Sequence, residues 1–192
     1  MKVYGDSRSG NCLKVKYVCD YLKMPYEWEE VDVLSGFTRT PDFLAINPAG
    51  QIPTVVFDDG RILSQSNAII RYLARDSSLS PSDDWQQAKM DEWLFWEQYS
   101  HEPAIAVVRF QVALKGVPRS EIDQTLVGKG DAALDRMELQ LRQQDYLVGD
   151  ALSLADIALL AYTQFAEEGG FSLKARPAVQ VWLQRVKSRL TS

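Results

Sequence analysis

Apolar and polar positions follow two different rhythms along this chain, one before about residue 77 and one after it. Lys2-Val3-Tyr4-Gly5 reads as a short strand. From about Gly10 the period lengthens. Val15, Val18, Cys19 and Leu22 fall at i, i+3, i+4 and i+7, one face of a helix. That helix runs out before Pro25, because a proline disfavours helical geometry in the residue preceding it, here Met24. Residues 26–33 read as a second strand with Val31 and Val33 on one face. After a loop at Ser35-Gly36, Thr40-Pro41-Asp42 supplies a cap, a first-position proline and an acidic first turn for a short helix ending at Asn47-Pro48. Residues 54–57 and 61–63 form two more strands joined through Asp58-Asp59-Gly60, a hairpin signal. A helix over Ser66–Ala74 closes the series.

The order is β-α-β-α-β-β-α, that of a thioredoxin-like unit, although order alone fixes neither pairing nor handedness. Ser77-Ser78-Leu79-Ser80-Pro81-Ser82 is a polar, proline-containing link. Everything beyond it has helical spacing: 83–110, 119–143, 153–167 and 177–190. The expected organisation is an α/β domain over 1–76, a linker over 77–82 and an all-α bundle over 83–192. Ser153-Leu154-Ala155-Asp156 is a capping box, in which each side chain accepts from the other residue's main-chain N–H at a helix start. The helix from Trp85 through Trp93, Phe95, Trp96 and Tyr99 carries aromatics on more than one face, which predicts burial on two sides.

Composition adds exclusions. The 192 residues carry a net charge of −5, with 24% charged and 46% hydrophobic residues, which offers no basic footprint for nucleic acid. There is no charged-then-apolar leader and no apolar run near ~18 residues, so the expectation is a cytoplasmic protein without a membrane partner. The two cysteines, Cys12 and Cys19, suggest a reducing compartment and no disulfide framework. With a single histidine, His101, they provide no metal-ligand spacing, so no metal is expected.

The candidate chemistry gathers around Asn47-Pro48-Ala49-Gly50-Gln51-Ile52-Pro53-Thr54-Val55-Val56 and Gln65-Ser66-Asn67. A proline opening a β-branched run sits where its missing N–H is harmless, at the start of a strand or in a tight turn. If the Ile52–Pro53 bond is cis, the Ile52 main chain swings outward and can pair with an extended peptide. Ser66 stands at the expected N-cap of the next helix, where outward N–H groups receive an anion.

Asn-Pro-x-Gly-x-Ile-Pro, then Gln-Ser, then Ala68-Ile69-x-x-Tyr72-Leu73 resembles the cytosolic glutathione transferases, and the likeness extends over nearly the whole chain. The resemblance implies a thioredoxin-like domain followed by a helical one, glutathione as co-substrate with no further cofactor, and a homodimer. It implies that Ile52 and Pro53 pair with the cysteinyl part of glutathione, and that Gln65 and Ser66 hold its γ-glutamyl end. Gln51 stands where relatives often place a lysine for the glycyl carboxylate, and Arg39 is the nearest replacement by sequence.

A free thiol of pKa about 8.5 is only about 3% ionised at pH 7, and a shift of two units requires about 2.7 kcal/mol. A hydroxyl donor and a helix N-terminus supply energy of that size. Against the theta-class pattern, with Tyr4 and Asp6 in step, Ser9 falls on the catalytic serine. Against the bacterial nu-type Thr/Ser-x-Asn-x-x-Lys pattern, Ser9, Asn11 and Lys14 all match. For Ser9 and Asn11 a plain capping role stays open beside the sulfur-facing one. Cys12 lies toward the apolar face, as a buried inert thiol or, if exposed, a partner for mixed disulfides. Tyr99, Glu102 and Arg109 could edge a pocket for a small hydrophobic electrophile, between the domains in such a family, or act in core or surface roles. The expected activity is attack by the glutathione thiolate on that electrophile. The alternatives are a disulfide reductase or peroxidase using the same site, or a non-enzymatic scaffold.

Overall fold

The computed structural model describes residues 1–191, which form two compact units, Met1–Ser77 and a second beginning at Ser78. In the first, β1 (Lys2–Gly5), α1 (Gly10–Tyr21), β2 (Glu27–Glu30), α2 (Pro41–Ile46), β3 (Thr54–Val56), β4 (Ile62–Ser64) and α3 (Ser66–Ala74) follow in order. The sheet runs β2-β1-β3-β4. β1 and β2 are parallel, joined by α1 as a crossover, while β1–β3 and β3–β4 are antiparallel. Gly60, at φ +83°, turns the hairpin between β3 and β4. Val3, Val15, Val18, Val55, Ile69 and Ile70 are fully buried and make the core of this unit.

The second strand is shorter than its apolar pattern suggests. It stops at Glu30, and although Val31 is buried, Val33 lies exposed in a 3₁₀ turn. Polar bonds bend the chain away: Asp32 accepts from Leu34 N–H at 3.0 Å and holds Arg8 at 2.7 Å, while Val33 N–H donates to Asp6 at 3.5 Å.

The second unit contains α4 (Asp84–Trp96), α5 (Glu102–Arg109), α6 (Gln124–Leu141), α7 (Leu154–Thr163) and α8 (Pro177–Leu190). The single helix expected over 83–110 is interrupted by a π-helical turn at Glu97–His101 and followed by another at Phe110–Leu114. Pro103 gives the reason for the first. It has no N–H to donate and its ring crowds the carbonyl four residues earlier, so the preceding turn widens. The helix expected from 119 starts at Gln124, because Asp123 caps it by accepting from Thr125 N–H at 2.8 Å. The helix expected to reach 167 ends at Thr163 and gives way to a 3₁₀ turn at Ala166–Gly169.

Every residue of α7 is buried. Its capping box is present, and Asp156 does more than close it. Oδ2 accepts from Ser153 N–H at 3.0 Å and Ser153 Oγ at 2.9 Å, while Oδ1 accepts from Leu147 N–H at 2.9 Å and Trp182 Nε1–H at 2.8 Å. One carboxyl thus ties the 147–153 loop, α7 and α8 together. Burial pushes that carboxyl above its ordinary range, although these donors pull the other way. No helix among the described residues is long and apolar enough to cross a membrane.

Candidate functional site

Strand register decides which segments of the first unit meet. Tyr4 lies opposite Thr54 and Thr54 opposite Ser64. The loop leaving β1, the Ile52–Pro53 segment entering β3 and the Gln65–Ser66 segment leaving β4 therefore emerge at one end of the sheet.

The loop from Asp6 to Ser9 is tied down by three carboxylates. Asp6, almost fully buried, accepts from Arg8 N–H at 2.9 Å, Nε at 2.9 Å and Nη2 at 2.7 Å. Burial raises the pKa of this carboxyl, but the Arg8 guanidinium and the main-chain donors outweigh that and hold it below its usual value. Arg8 Nη2 also reaches Asp32 at 2.7 Å. Glu30 takes Ser7 N–H at 2.8 Å and Ser7 Oγ at 3.0 Å, and its other oxygen takes Trp28 Nε1–H at 2.6 Å. The Trp28 ring lies so close over Gly5 that any Cβ there would strike it.

Ser9 follows as the N-cap of α1 through its main chain, its C=O accepting from Cys12 N–H at 3.1 Å and Leu13 N–H at 2.9 Å. Its hydroxyl makes no capping bond and is half-buried. Cys12 and Cys19 are both fully buried. Burial pushes the Cys12 thiol up to about 11, partly offset by the Asp6 main chain and the Ser9 side chain, which lies beside it.

Asn11 and Ser66 are brought together. Ser66 Oγ donates to Asn11 Oδ1 at 2.9 Å. Ser66 is not the N-cap expected from the sequence: it is the first residue of α3, and Gln65 holds the cap position at φ +71°, ψ 111°. The chain leaves β4 at Ser64 and reverses into the helix within one residue, and Gln65 absorbs the reversal. A non-glycine residue in that region carries strain of order 1–3 kcal/mol, of the kind that collects at ligand sites. The Ser66 side chain is consequently turned inward, leaving the main-chain N–H groups of the first turn of α3 to face an anion.

The Ile52–Pro53 bond is cis. Buried Asn47 organises the loop before it. Its Nδ2 donates to Gln51 C=O at 2.8 Å and Thr54 Oγ1 at 3.0 Å, and its Oδ1 accepts from Ala49 N–H at 3.1 Å. Thr54 Oγ1 donates to the same Gln51 C=O at 2.9 Å. Neither the N–H nor the C=O of Ile52 is consumed in these bonds. Arg39 is exposed and lies along this turn, with Nη1 donating to Ala49 C=O at 3.3 Å. Gly50, at φ +60°, has Arg39 Nη1 at 2.6 Å and Thr38 C=O at 2.8 Å from where a Cβ would sit. Gln51 has an exposed side chain next to it.

The three residues suggested for an electrophile pocket diverge. Tyr99 is 87% exposed and lines a cavity of about 550 Å³ within the helical unit, with Trp96, Ser100, Pro103, Leu126 and Arg136. Glu102 and Arg109 do not line it. Arg109 is buried, paired with Glu168 at 2.7 Å and stacked 4.2 Å over Phe165. His101 is buried against Thr163 Oγ1 at 2.9 Å. No cluster able to hold a metal ion occurs among the described residues.

Lys14 is the site residue that sequence reasoning undervalued. It has no solvent exposure and contacts Asn11, Ser66 and Asn67. Two signals were available: its place in step with Ser9 and Asn11 in the Ser-x-Asn-x-x-Lys pattern, and its position between Leu13 and Val15 within the apolar stretch of α1.

Comparison with known proteins gives the family and the fold. Residues 8–76 match the glutathione S-transferase N-terminal domain and residues 99–189 its C-terminal domain. A crystal structure of glutathione S-transferase from Pseudomonas fluorescens Pf-5 superimposes with a TM-score of 0.94 at 51% identity, covering 97% of this chain and 94% of that one. Glutathione S-transferase 3 of Zea mays is 32% identical over 98% of this chain and 90% of its own length. Escherichia coli GstB, a glutathione S-transferase, is 28% identical over 97% and 93%. The chain belongs to the glutathione S-transferase family.

Proposed function

We propose that this protein binds glutathione at the end of the sheet where the three segments converge, ionises its thiol and transfers it to a small hydrophobic electrophile. The convergence set by the Tyr4–Thr54–Ser64 register is the observation that carries the reading. It puts a main-chain edge beside a cis proline, a helix N-terminus behind a strained Gln65, and a hydroxyl not used for capping within one neighbourhood. In this reading Ile52 and Pro53 align the cysteinyl residue, Gln65 and the first turn of α3 receive the γ-glutamyl end, and Arg39 with Gln51 meets the glycyl carboxylate. Ser9 gives its proton to the sulfur as a hydrogen bond, with Asn11 assisting. Cys12 favours that use of Ser9. Burial keeps its thiol protonated, so it does not compete as an anion with the bound sulfur for the Ser9 hydroxyl. Trp85, Phe95 and Tyr99, exposed along α4 and the turn after it, supply the apolar contact for a second copy of the chain.

Because both native thiols are buried, a disulfide or peroxide reaction at this site would use two glutathione molecules and no protein cysteine. RSSR would give two RSH and oxidised glutathione. ROOH would give ROH, water and the same oxidised product. Rates on a chlorinated nitroaromatic, a dialkyl disulfide and an organic hydroperoxide separate these reactions from transfer. The decisive experiment is Ser9→Ala. Turnover with the nitroaromatic falls by ~10²-fold or more while glutathione KM stays nearly constant, because the lost hydrogen bond acts on the thiolate. Unchanged turnover would remove Ser9 from the mechanism.

A further inference from the structure

Lys14 is a lysine with no solvent-exposed surface, seated directly beneath the site. Its Nζ donates to Asn11 Oδ1 at 2.8 Å, Asn67 Oδ1 at 3.3 Å and Ser66 Oγ at 3.4 Å. An ammonium has three N–H donors and no lone pair, so an amide meeting it presents oxygen. The Ser66 hydroxyl reinforces the choice. Its oxygen faces the Lys14 N–H, and its one proton goes to the same Asn11 Oδ1, 2.9 Å away. Turning the Asn11 amide over would set its N–H₂ against the Lys14 ammonium, which can only donate. The carbonyl is therefore held inward from two sides, and Nδ2 lies on the opposite side of the amide.

We propose that Lys14 is a positioning residue for thiol activation: by holding the Asn11 carbonyl inward it aims the Asn11 N–H₂ at the sulfur of bound glutathione. The inference rests on the glutathione reading above. Asn11 stands two residues beyond Ser9 in the first turn of α1, so both donors come from one helix end. Linked hydrogen bonds polarise one another, and an amide whose oxygen faces an ammonium is a stronger N–H donor. A thiolate gains more from such a donor than a thiol does, which lowers the pKa of the bound thiol. Lys14 thereby affects ionisation without touching the substrate.

The test is the pH dependence of the ultraviolet thiolate absorbance of glutathione bound to the full-length protein. In Lys14→Met the apparent pKa of the bound thiol rises by about 0.5–1 unit, and turnover at neutral pH falls about 3–10-fold, while glutathione KM moves less than about threefold. Lys14→Arg, which also only donates, keeps a value near that of the wild type. Asn11→Ala raises the pKa by a similar amount, and adding Lys14→Met to it raises it no further. A wild-type pKa in Lys14→Met, or additive shifts in the double variant, overturns the inference. If Lys14→Met does not fold, Asn11→Ala and Lys14→Arg decide the matter. A raised pKa in the first with a normal one in the second supports the inference, and an unchanged pKa in Asn11→Ala overturns it. A wild-type protein that shows no ionised bound thiol fails before any substitution is made, and that result rejects the glutathione-activation reading itself.

Discussion

Replacing Asp156 by asparagine changes one group and almost no volume, yet the hydrogen bonds around it dictate a definite loss. The carboxyl meets four partners, three of them fixed N–H donors: Leu147 and Trp182 on Oδ1 and Ser153 on Oδ2. Ionised or protonated, the carboxyl keeps a lone pair for each. An amide does not. With its oxygen toward Leu147 and Trp182, its N–H₂ faces Ser153 N–H. Turned over, it opposes two fixed donors and fares worse. At least one buried main-chain N–H is left without an acceptor, which costs about 1–3 kcal/mol. For a chain of this length each kcal/mol lowers the melting temperature by about 2–4 °C, so the variant melts about 2–12 °C below the wild type. Asp156→Ala strands all three N–H groups and melts lower still. Circular dichroism followed through thermal unfolding reads both. An asparagine variant that melts with the wild type, or below the alanine variant, would refute the accounting.

Three further outcomes follow from the first unit. Gly50→Ala forces a Cβ against Arg39 and Thr38 at a positive φ, so glutathione affinity falls several-fold in a direct titration while the helical unit keeps its melting profile. Asp6 has its pKa lowered in the fold, so its contribution is complete above the ordinary value near 3.8 and is lost as pH falls through the lower folded value. Glu30 and Asp32 shift in the same direction. Stability measured by urea unfolding should therefore drop below about pH 4, and Arg8→Gln should flatten that drop. Cys12, fully buried and pushed up to about 11, and Cys19, fully buried and pushed up to about 12, should resist a thiol reagent at pH 8 in the native protein and react on unfolding. Rapid native labelling of either would show that the fold around α1 opens.

Local signals were legible in the sequence and non-local ones were not. The bounds of α3, the hairpin at Asp58-Asp59-Gly60 and the Ser153–Asp156 box each depend on neighbours within a few residues, and all lie where the pattern put them. The cis bond before Pro53 was a condition of the peptide-pairing reading, and it is met. Ser66 was misplaced by one position because the cap falls to Gln65, a residue whose left-handed conformation has no sequence signature. The end of β2 was overrun because its bend is set by Asp6 and Arg8, more than twenty residues earlier in the chain. Arg109 reads as a free cation on a helix until Glu168, distant in sequence, is seen to meet it. Lys14 is the extreme case. Nothing near it in sequence foretells that α3 will close over its ammonium.

The common exit of three segments at one end of the four-stranded sheet leaves the far end unencumbered. There the β3–β4 hairpin turns through Asp58, Asp59 and Gly60, all exposed, about 10 Å along the strands from Thr54. With Cys12 and Cys19 both buried, Asp59→Cys would offer the one accessible thiol among the described residues. A fluorophore or surface tether attached at that point would immobilise or report on the protein from its blind side and leave the mouth of the site open.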